Sequence, residues 1–281
     1  MEGMSRREKA EKFRTLHQGR PILVLLNVWD VAGALIVEEA GFPAIATSSA
    51  AIANSLGYLD GQRITRDEMA EVVSRIASAV RVPVSADMEA GYGDRPEDAA
   101  ETARVALEAG AVGLNIEDGT GIQDCPLIDL ERQVEKIRAM RQVADAAKVP
   151  LVINARIDTF LRQVGDEHSR LDETIRRAHA FREAGADCVF VPALWDPASI
   201  TALLKASQGP LNILGGTGTP PVPELERLGV ARVSLGAWPY RAALGLLRKI
   251  AAELSKSGSY RQATEKAVSS PEIEKLLRPS Q

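Results

Sequence analysis

The sequence predicts an α/β chain folded as one closed (β/α)8 TIM barrel with a C-terminal helical extension, and two observations carry that prediction. The first is a weak internal repeat in which a helix ends in an acidic-small-Gly turn and a short β-branched run follows. Its copies read EEAGFPAIATS at 38–48, LEAGAVGLNIED at 107–118, REAGADCVFVPA at 182–193 and ERLGVARVSLG at 226–236. In each, Gly41, Gly110, Gly185 or Gly229 stands where a helix C-terminus needs a left-handed residue before a buried strand. The second observation is a set of similar apolar runs between those copies: ILVLLN, VPVSAD, VPLVINAR and LNILGG, at 22–27, 82–87, 149–156 and 211–216.

Taken in chain order, residues 1–18 are charged and helix-like, without the apolar core of a signal peptide. The first strand follows at 22–27, and helical segments at 66–80 and 96–109 separate the next three strands. Continuous apolar runs, rather than alternating ones, belong to strands covered on both faces, as in a parallel sheet. No GxGxxG fingerprint follows the first strand, which argues against a doubly wound open sheet. GGTGT at 215–219 reads as a turn. After the eighth strand, 239–256 reads as a helix and the polar remainder as a helix-prone tail, so the barrel spans 1–256 and the tail 257–281.

The 281 residues are 45% apolar, enough for one large core, and the net charge of -4 is spread through the chain. No basic stripe suits nucleic acid and no polybasic patch or long apolar run suits a membrane. Cys125 and Cys188 are the only cysteines, too few for a disulfide framework, so a reducing cytoplasm is expected.

Barrels of this kind build their active sites from the C-terminal ends of strands. Here those ends are acidic: Asp87 and Glu89 after the third strand, Glu117 on the fourth, and Asp60 beyond the second. Bare carboxylates converging on one mouth repel each other, and a divalent cation removes the conflict. An all-oxygen ligand set selects Mg²⁺, with Mn²⁺ as the alternative, over zinc. Asp94 and Asp118, whose neighbours open the next helix or loop, read as capping residues. No lysine stands at a strand end, which argues against a Schiff-base aldolase, and His17, His168 and His179 all fall away from the strand ends. Arg156 is the one strand-end cation, suited to stabilising oxyanion charge. Thr47, Ser48 and Ser49 offer backbone N–H groups to a carboxylate, and Trp29 offers an apolar wall.

Together these residues resemble the isocitrate lyase and phosphoenolpyruvate mutase superfamily across nearly the whole barrel. The resemblance rests on four motifs in order: Ser55-Leu56-Gly57-Tyr58-Leu59-Asp60, Asp87-x-Glu89-x-Gly91-Tyr92-Gly93, Asn115-Ile116-Glu117-Asp118 and Asn154-Ala155-Arg156-x-Asp158. It implies an Mg²⁺ site at Asp87, Glu89 and Glu117, with Asp60 nearby through water. It implies that Arg156 stabilises an enolate oxygen, that Thr47, Ser48 and Ser49 hold the substrate carboxylate, and that Trp29 and Asn212 border the substrate. It further implies a homotetramer whose barrels exchange the last helix.

One departure bears on chemistry. Lyases of the family carry a cysteine acid flanked by two bases and a histidine on the loop after the fourth strand. The equivalent stretch here, Gln123-Asp124-Cys125-Pro126-Leu127, keeps Cys125 as the candidate acid but lacks those cations, which makes it a poorer acid–base group. The expected function is a Mg²⁺-dependent, lyase-type enzyme that makes or breaks a C–C or C–P bond next to the enolate of a small 2-oxo acid or dicarboxylate. The alternatives are an oxaloacetate-type hydrolase or decarboxylase, a phosphonopyruvate-type mutase or hydrolase, and a catalytically silent barrel that binds a 2-oxo acid.

Overall fold

The structure, a computed structural model, describes residues 4–278. The strands predicted from the apolar runs form one parallel sheet that closes on itself. In chain order they are β1 (Leu23–Leu25), β2 (Asn27–Val28), β3 (Ile45–Thr47), β4 (Val84–Asp87), β5 (Gly113–Glu117), β8 (Val152–Arg156), β9 (Cys188–Val191), β10 (Leu211–Leu214) and β11 (Arg232–Ser234). The first predicted strand is split at Leu26: β1 pairs with β11, whereas β2 pairs with β3. Strands in a barrel tilt and stagger, so the lower half of this strand meets one neighbour and its upper half the other. With β1 and β2 counted as one, eight strands complete the barrel. A separate antiparallel hairpin, β6 (Gly119–Ile122) and β7 (Cys125–Leu127), stands above β5.

Helices alternate with the strands: α2 (Val31–Glu39), α3 (Ser49–Ser55), α4 (Arg66–Ala79), α5 (Pro96–Glu108), α6 (Leu130–Ala146), α7 (Glu167–Glu183), α8 (Pro197–Ser207), α9 (Val222–Leu228) and α10 (Trp238–Ser257). The four repeat glycines have the left-handed backbone that the pattern requires, with φ of 85°, 92°, 109° and 99° at Gly41, Gly110, Gly185 and Gly229. The N-terminal helix α1 (Arg6–Leu16) plugs the barrel floor with Ala10 and Phe13, both fully buried. A Cβ at position 113 would lie 2.5 Å from the Phe13 ring, so glycine is what lets that ring enter.

Two capping expectations are corrected. The residue that begins α5 is Arg95, whose backbone N–H is accepted by Asp98, so Asp94 is not the cap. Asp118 is fully buried, pairs with Arg177 of α7 at 3.0 Å and accepts the Asp158 N–H at 2.8 Å, so it clamps two loops together instead of capping one. Of the histidines, His17 ends α1 and His179 is exposed on α7, while the side chain of His168 lies outside the described residues. The predicted last helix is α10, none of whose residues is buried, and the tail adds α11 (Arg261–Thr264) and α12 (Ser270–Leu277), with α12 packed on α2. Residues 279–281 of the predicted tail lie outside the described residues. Among the described residues no helix is long and apolar enough to cross a membrane.

Candidate active site

The acids singled out in the sequence meet at the barrel mouth. Asp87 ends β4, and its Oδ2 accepts hydrogen bonds from the Ser49 backbone N–H at 3.0 Å and the Ser49 hydroxyl at 2.9 Å. The Asp87 N–H donates to the Thr47 hydroxyl at 2.9 Å, and Ser48 caps α3 by accepting the Ala51 N–H. The hydroxyl run therefore fixes the aspartate, and the Ser49 N–H that sequence reasoning offers to a substrate is occupied by it.

Glu89 sits two residues further on a tightly bent loop. Its φ of 50° and that of Tyr92, 55°, lie in the left-handed region, which side chains other than glycine adopt only when their surroundings hold them there. The holding contacts are long-range. Lys136, fully buried on α6, donates to the Ala90 carbonyl at 2.5 Å and the Gly93 carbonyl at 2.9 Å. Thr102 donates to the Gly91 carbonyl at 2.7 Å, and Arg66 to that of Tyr92 at 3.0 Å. The Glu89 carboxylate accepts the Gln62 N–H and the Tyr92 hydroxyl.

Glu117 ends β5 and forms an ion pair with Arg156 at the end of the neighbouring β8. Arg156 also makes a two-pronged pair with Asp158, at 2.6 and 2.9 Å, and Arg162 lies 3.6 Å from the same carboxylate. Asp60 lies on an exposed turn between α3 and α4, within the electrostatic field of Asp87, Glu89 and Glu117.

The mutual repulsion expected of such a cluster is present. Burial, reinforced by the charges of Asp60 and Asp87 and opposed by the Gln62 N–H, pushes Glu89 up to about 7. Burial also raises Glu117, against the pull of Arg156 and with help from Asp158, Asp87 and Asp60. Asp60 is raised by desolvation and then by Asp87. Burial alone would lower Arg156, but Glu117 and Asp158 outweigh it and hold the guanidinium above its ordinary range.

Among the described residues no three acidic, histidine or cysteine side chains form a ready metal cage. The fit to Mg²⁺ lies in donor chemistry: an all-oxygen set in which a dication would offset the push of burial on Asp60, Glu89 and Glu117, and an ion that binds few protein ligands directly and keeps its waters.

Other predicted residues stand apart. Cys125 is exposed on the β6–β7 hairpin, and its thiol meets the Leu127 carbonyl at 3.7 Å. Asn212 is fully buried within β10 and bonded to Ser234 of β11. Trp29 packs edge-on against Tyr240, 5.2 Å between ring centres. Sequence reasoning missed Lys136, Gln62 and Arg162, which carry no strand-end signal and are brought to the site by helices and loops.

A family model described as phosphoenolpyruvate phosphomutase matches residues 13–255. The chain belongs to the isocitrate lyase and phosphoenolpyruvate mutase superfamily. It is 30% identical to the 2-methylisocitrate lyase of Escherichia coli over 274 residues, covering 94% of this chain and 89% of that one. It is 32% identical to the oxaloacetate decarboxylase of Bradyrhizobium diazoefficiens over 219 residues, covering 76% and 73%. Among solved structures, a phosphonopyruvate hydrolase in complex with oxalate and Mg²⁺ superposes with a TM-score of 0.83 at 26% identity, over 95% of this chain and 94% of the other. The predicted barrel and family thus stand.

Proposed function

We propose that this superfamily member is a Mg²⁺-dependent, lyase-type enzyme acting on a small 2-oxo acid or dicarboxylate, cleaving or forming the C–C or C–P bond next to its enolate. The observation that carries the reading is the convergence of Asp60, Asp87, Glu89 and Glu117 around one strand-end arginine. Asp87, Glu89 and Glu117 would hold the metal, with Asp60 reaching it through water. A bound Mg²⁺ would supply the charge that lets these acids ionise together and that polarises the substrate's oxygens.

The chain's own groups do the rest. When the bond next to the enolate carbon breaks, its electron pair moves to the 2-oxo oxygen, beside Arg156. That guanidinium is already fixed by Asp158 and Glu117, so it needs no reorganisation to meet the new charge. The loop at 47–49 would act through Asp87, which Thr47 and Ser49 fix, and Trp29 would border the rest of the substrate, while the buried Asn212, bonded to Ser234, would act only from within its strand. Cys125 would deliver the proton in cleavage of an isocitrate-type substrate, provided the hairpin brings it inward.

A second reading, hydrolysis or decarboxylation of an oxaloacetate-like acid, is favoured by the exposure of Cys125 and by the lack of a basic residue beside it in the sequence, because that chemistry needs no thiol. Turnover of oxaloacetate, 2-methylisocitrate and phosphonopyruvate, with and without Mg²⁺, tests both. Mg²⁺-dependent turnover lost in Asp87→Ala supports the enzyme. Cys125→Ser abolishes turnover under the first reading and spares it under the second. Silence on all three, with a 2-oxo acid still bound, would instead favour a binding protein.

The working form is a cytoplasmic homotetramer in which α10 is exchanged. Leu244, Leu247 and Leu254 of this helix are 42%, 60% and 55% exposed in the single chain, an apolar face that calls for a partner. Light scattering on Leu247→Asp/Leu254→Asp should give a smaller mass than the parent; an unchanged mass would refute the exchange.

A further inference from the structure

The carboxylates occupy one half of the barrel mouth. The other half, over the ends of β9, β10 and β11, holds a cavity of about 620 Å³. Its walls are two indoles: Trp195, on the loop after β9, and Trp238, the first residue of α10. Leu214 and Leu235 line it at the ends of β10 and β11, and Phe160 and Leu161 line its flank towards β8. In the turn at 215–219, which also lines the cavity with Thr217 and Thr219, Gly216 and Gly218 let the backbone lie close against the indoles. A Cβ at Gly216 would come within 2.6 Å of the Trp238 ring nitrogen, and one at Gly218 within 3.8 Å of Trp195. Arg241 stacks over Trp238, 4.5 Å from the ring centre, and steadies it at the rim.

One loop serves both halves. Asp158 and Arg162 turn towards Arg156, while Phe160 and Leu161, between them in sequence, line the cavity. A group bound there is therefore a neighbour of the reacting centre. The cavity has the size of sites for whole drug-like ligands, far more than a three- or four-carbon acid requires.

Resting on the function proposed above, we infer that this cavity is a specificity subsite. It takes a ring-sized apolar substituent carried by a substrate whose oxo-acid end lies at the Asp87–Glu117 cluster. Two half-exposed tryptophans facing a glycine turn are poor at excluding water on their own and gain most when a flat apolar group fills the gap.

The test is calorimetric titration of the full-length protein with Mg²⁺ and either pyruvate or phenylpyruvate, using the parent, Asp87→Ala, Trp195→Ala and Trp238→Ala. Phenylpyruvate should bind at least about tenfold more tightly than pyruvate, given the apolar area it buries. Each tryptophan variant should erase most of that advantage while leaving pyruvate affinity within about twofold. Asp87→Ala should weaken both acids. Equal affinity for the two acids, or indifference to Trp195, overturns the subsite but leaves the catalytic reading standing if pyruvate still needs Asp87. Phenylpyruvate binding that depends on Trp195 and ignores Asp87 would make the cavity a separate site and overturn the inference. Failure of both acids to bind overturns the metal-site reading and this inference with it.

Discussion

Two arginines, one partly and one fully buried, mark the two ends of the barrel. Arg156 closes β8 at the mouth and is bonded to Glu117 and Asp158, whose charges hold it firmly protonated. Arg232 opens β11 at the floor; it is fully buried beside the Phe13 ring, and its three guanidinium nitrogens have no hydrogen-bond partner among the described residues. Burial drives Arg232 down to about 10. On the function proposed above, the contrast separates a charge placed for chemistry from one that the packing merely tolerates. Barrels concentrate function at the C-terminal face and stability at the other.

The most severe test of that contrast is Arg156→Lys, which keeps the charge and loses the planar fork. Turnover of the active substrate should fall about 10²- to 10³-fold with little change in melting temperature. A loss below about threefold in steady-state kinetics would remove Arg156 from the oxyanion role.

At the floor, burial holds His17 neutral, down to about 4, with the nearby Arg232 charge reinforcing the effect. Its folded value lies below the unfolded one of 6.5, so this stability is present above pH 6.5 and is lost as pH falls towards 4. The loss amounts to about 3 kcal/mol at most. Urea melts between pH 7 and pH 4 should slope less in His17→Gln than in the parent; equal slopes would show that another group carries the effect.

Lys136→Met should cost about 2 kcal/mol, because the Ala90 and Gly93 carbonyls lose their donor. It should also weaken Mg²⁺ binding by loosening the Glu89 loop. Thermal melts and Mg²⁺ titration would read the two effects separately, and unchanged Mg²⁺ affinity would confine Lys136 to a structural role.

The smallest expected change has the opposite sign. Arg232→Met should leave turnover unchanged and raise stability by about 1 kcal/mol, since a desolvated charge gives way to an apolar group of similar length. A drop in turnover would mean that the floor cation reaches the mouth electrostatically.

Much of the site was legible because a parallel barrel turns strand order into geometry: residues that end successive strands must share one mouth. Asp87, Glu117 and Arg156 were found that way, and Asp60 and Glu89 by following the chain past the strand ends. The errors came where side chains reach across the chain. Asp118 looked like a cap from its neighbours, yet its partner Arg177 lies 59 residues away on α7. The backbone N–H groups of 47–49 looked open to a ligand, yet that of Ser49 donates to Asp87.

The sequence by itself determined the alternation of strands and helices, the glycine-ended turns and the acidic strand ends, because each is written in local periodicity and residue type. Only the tertiary structure decided which charges meet, how Lys136 holds the Glu89 loop, and that two tryptophans 43 positions apart line one cavity. Periodicity tells which face of a helix is buried; which distant loop lies across that face is set when the barrel closes.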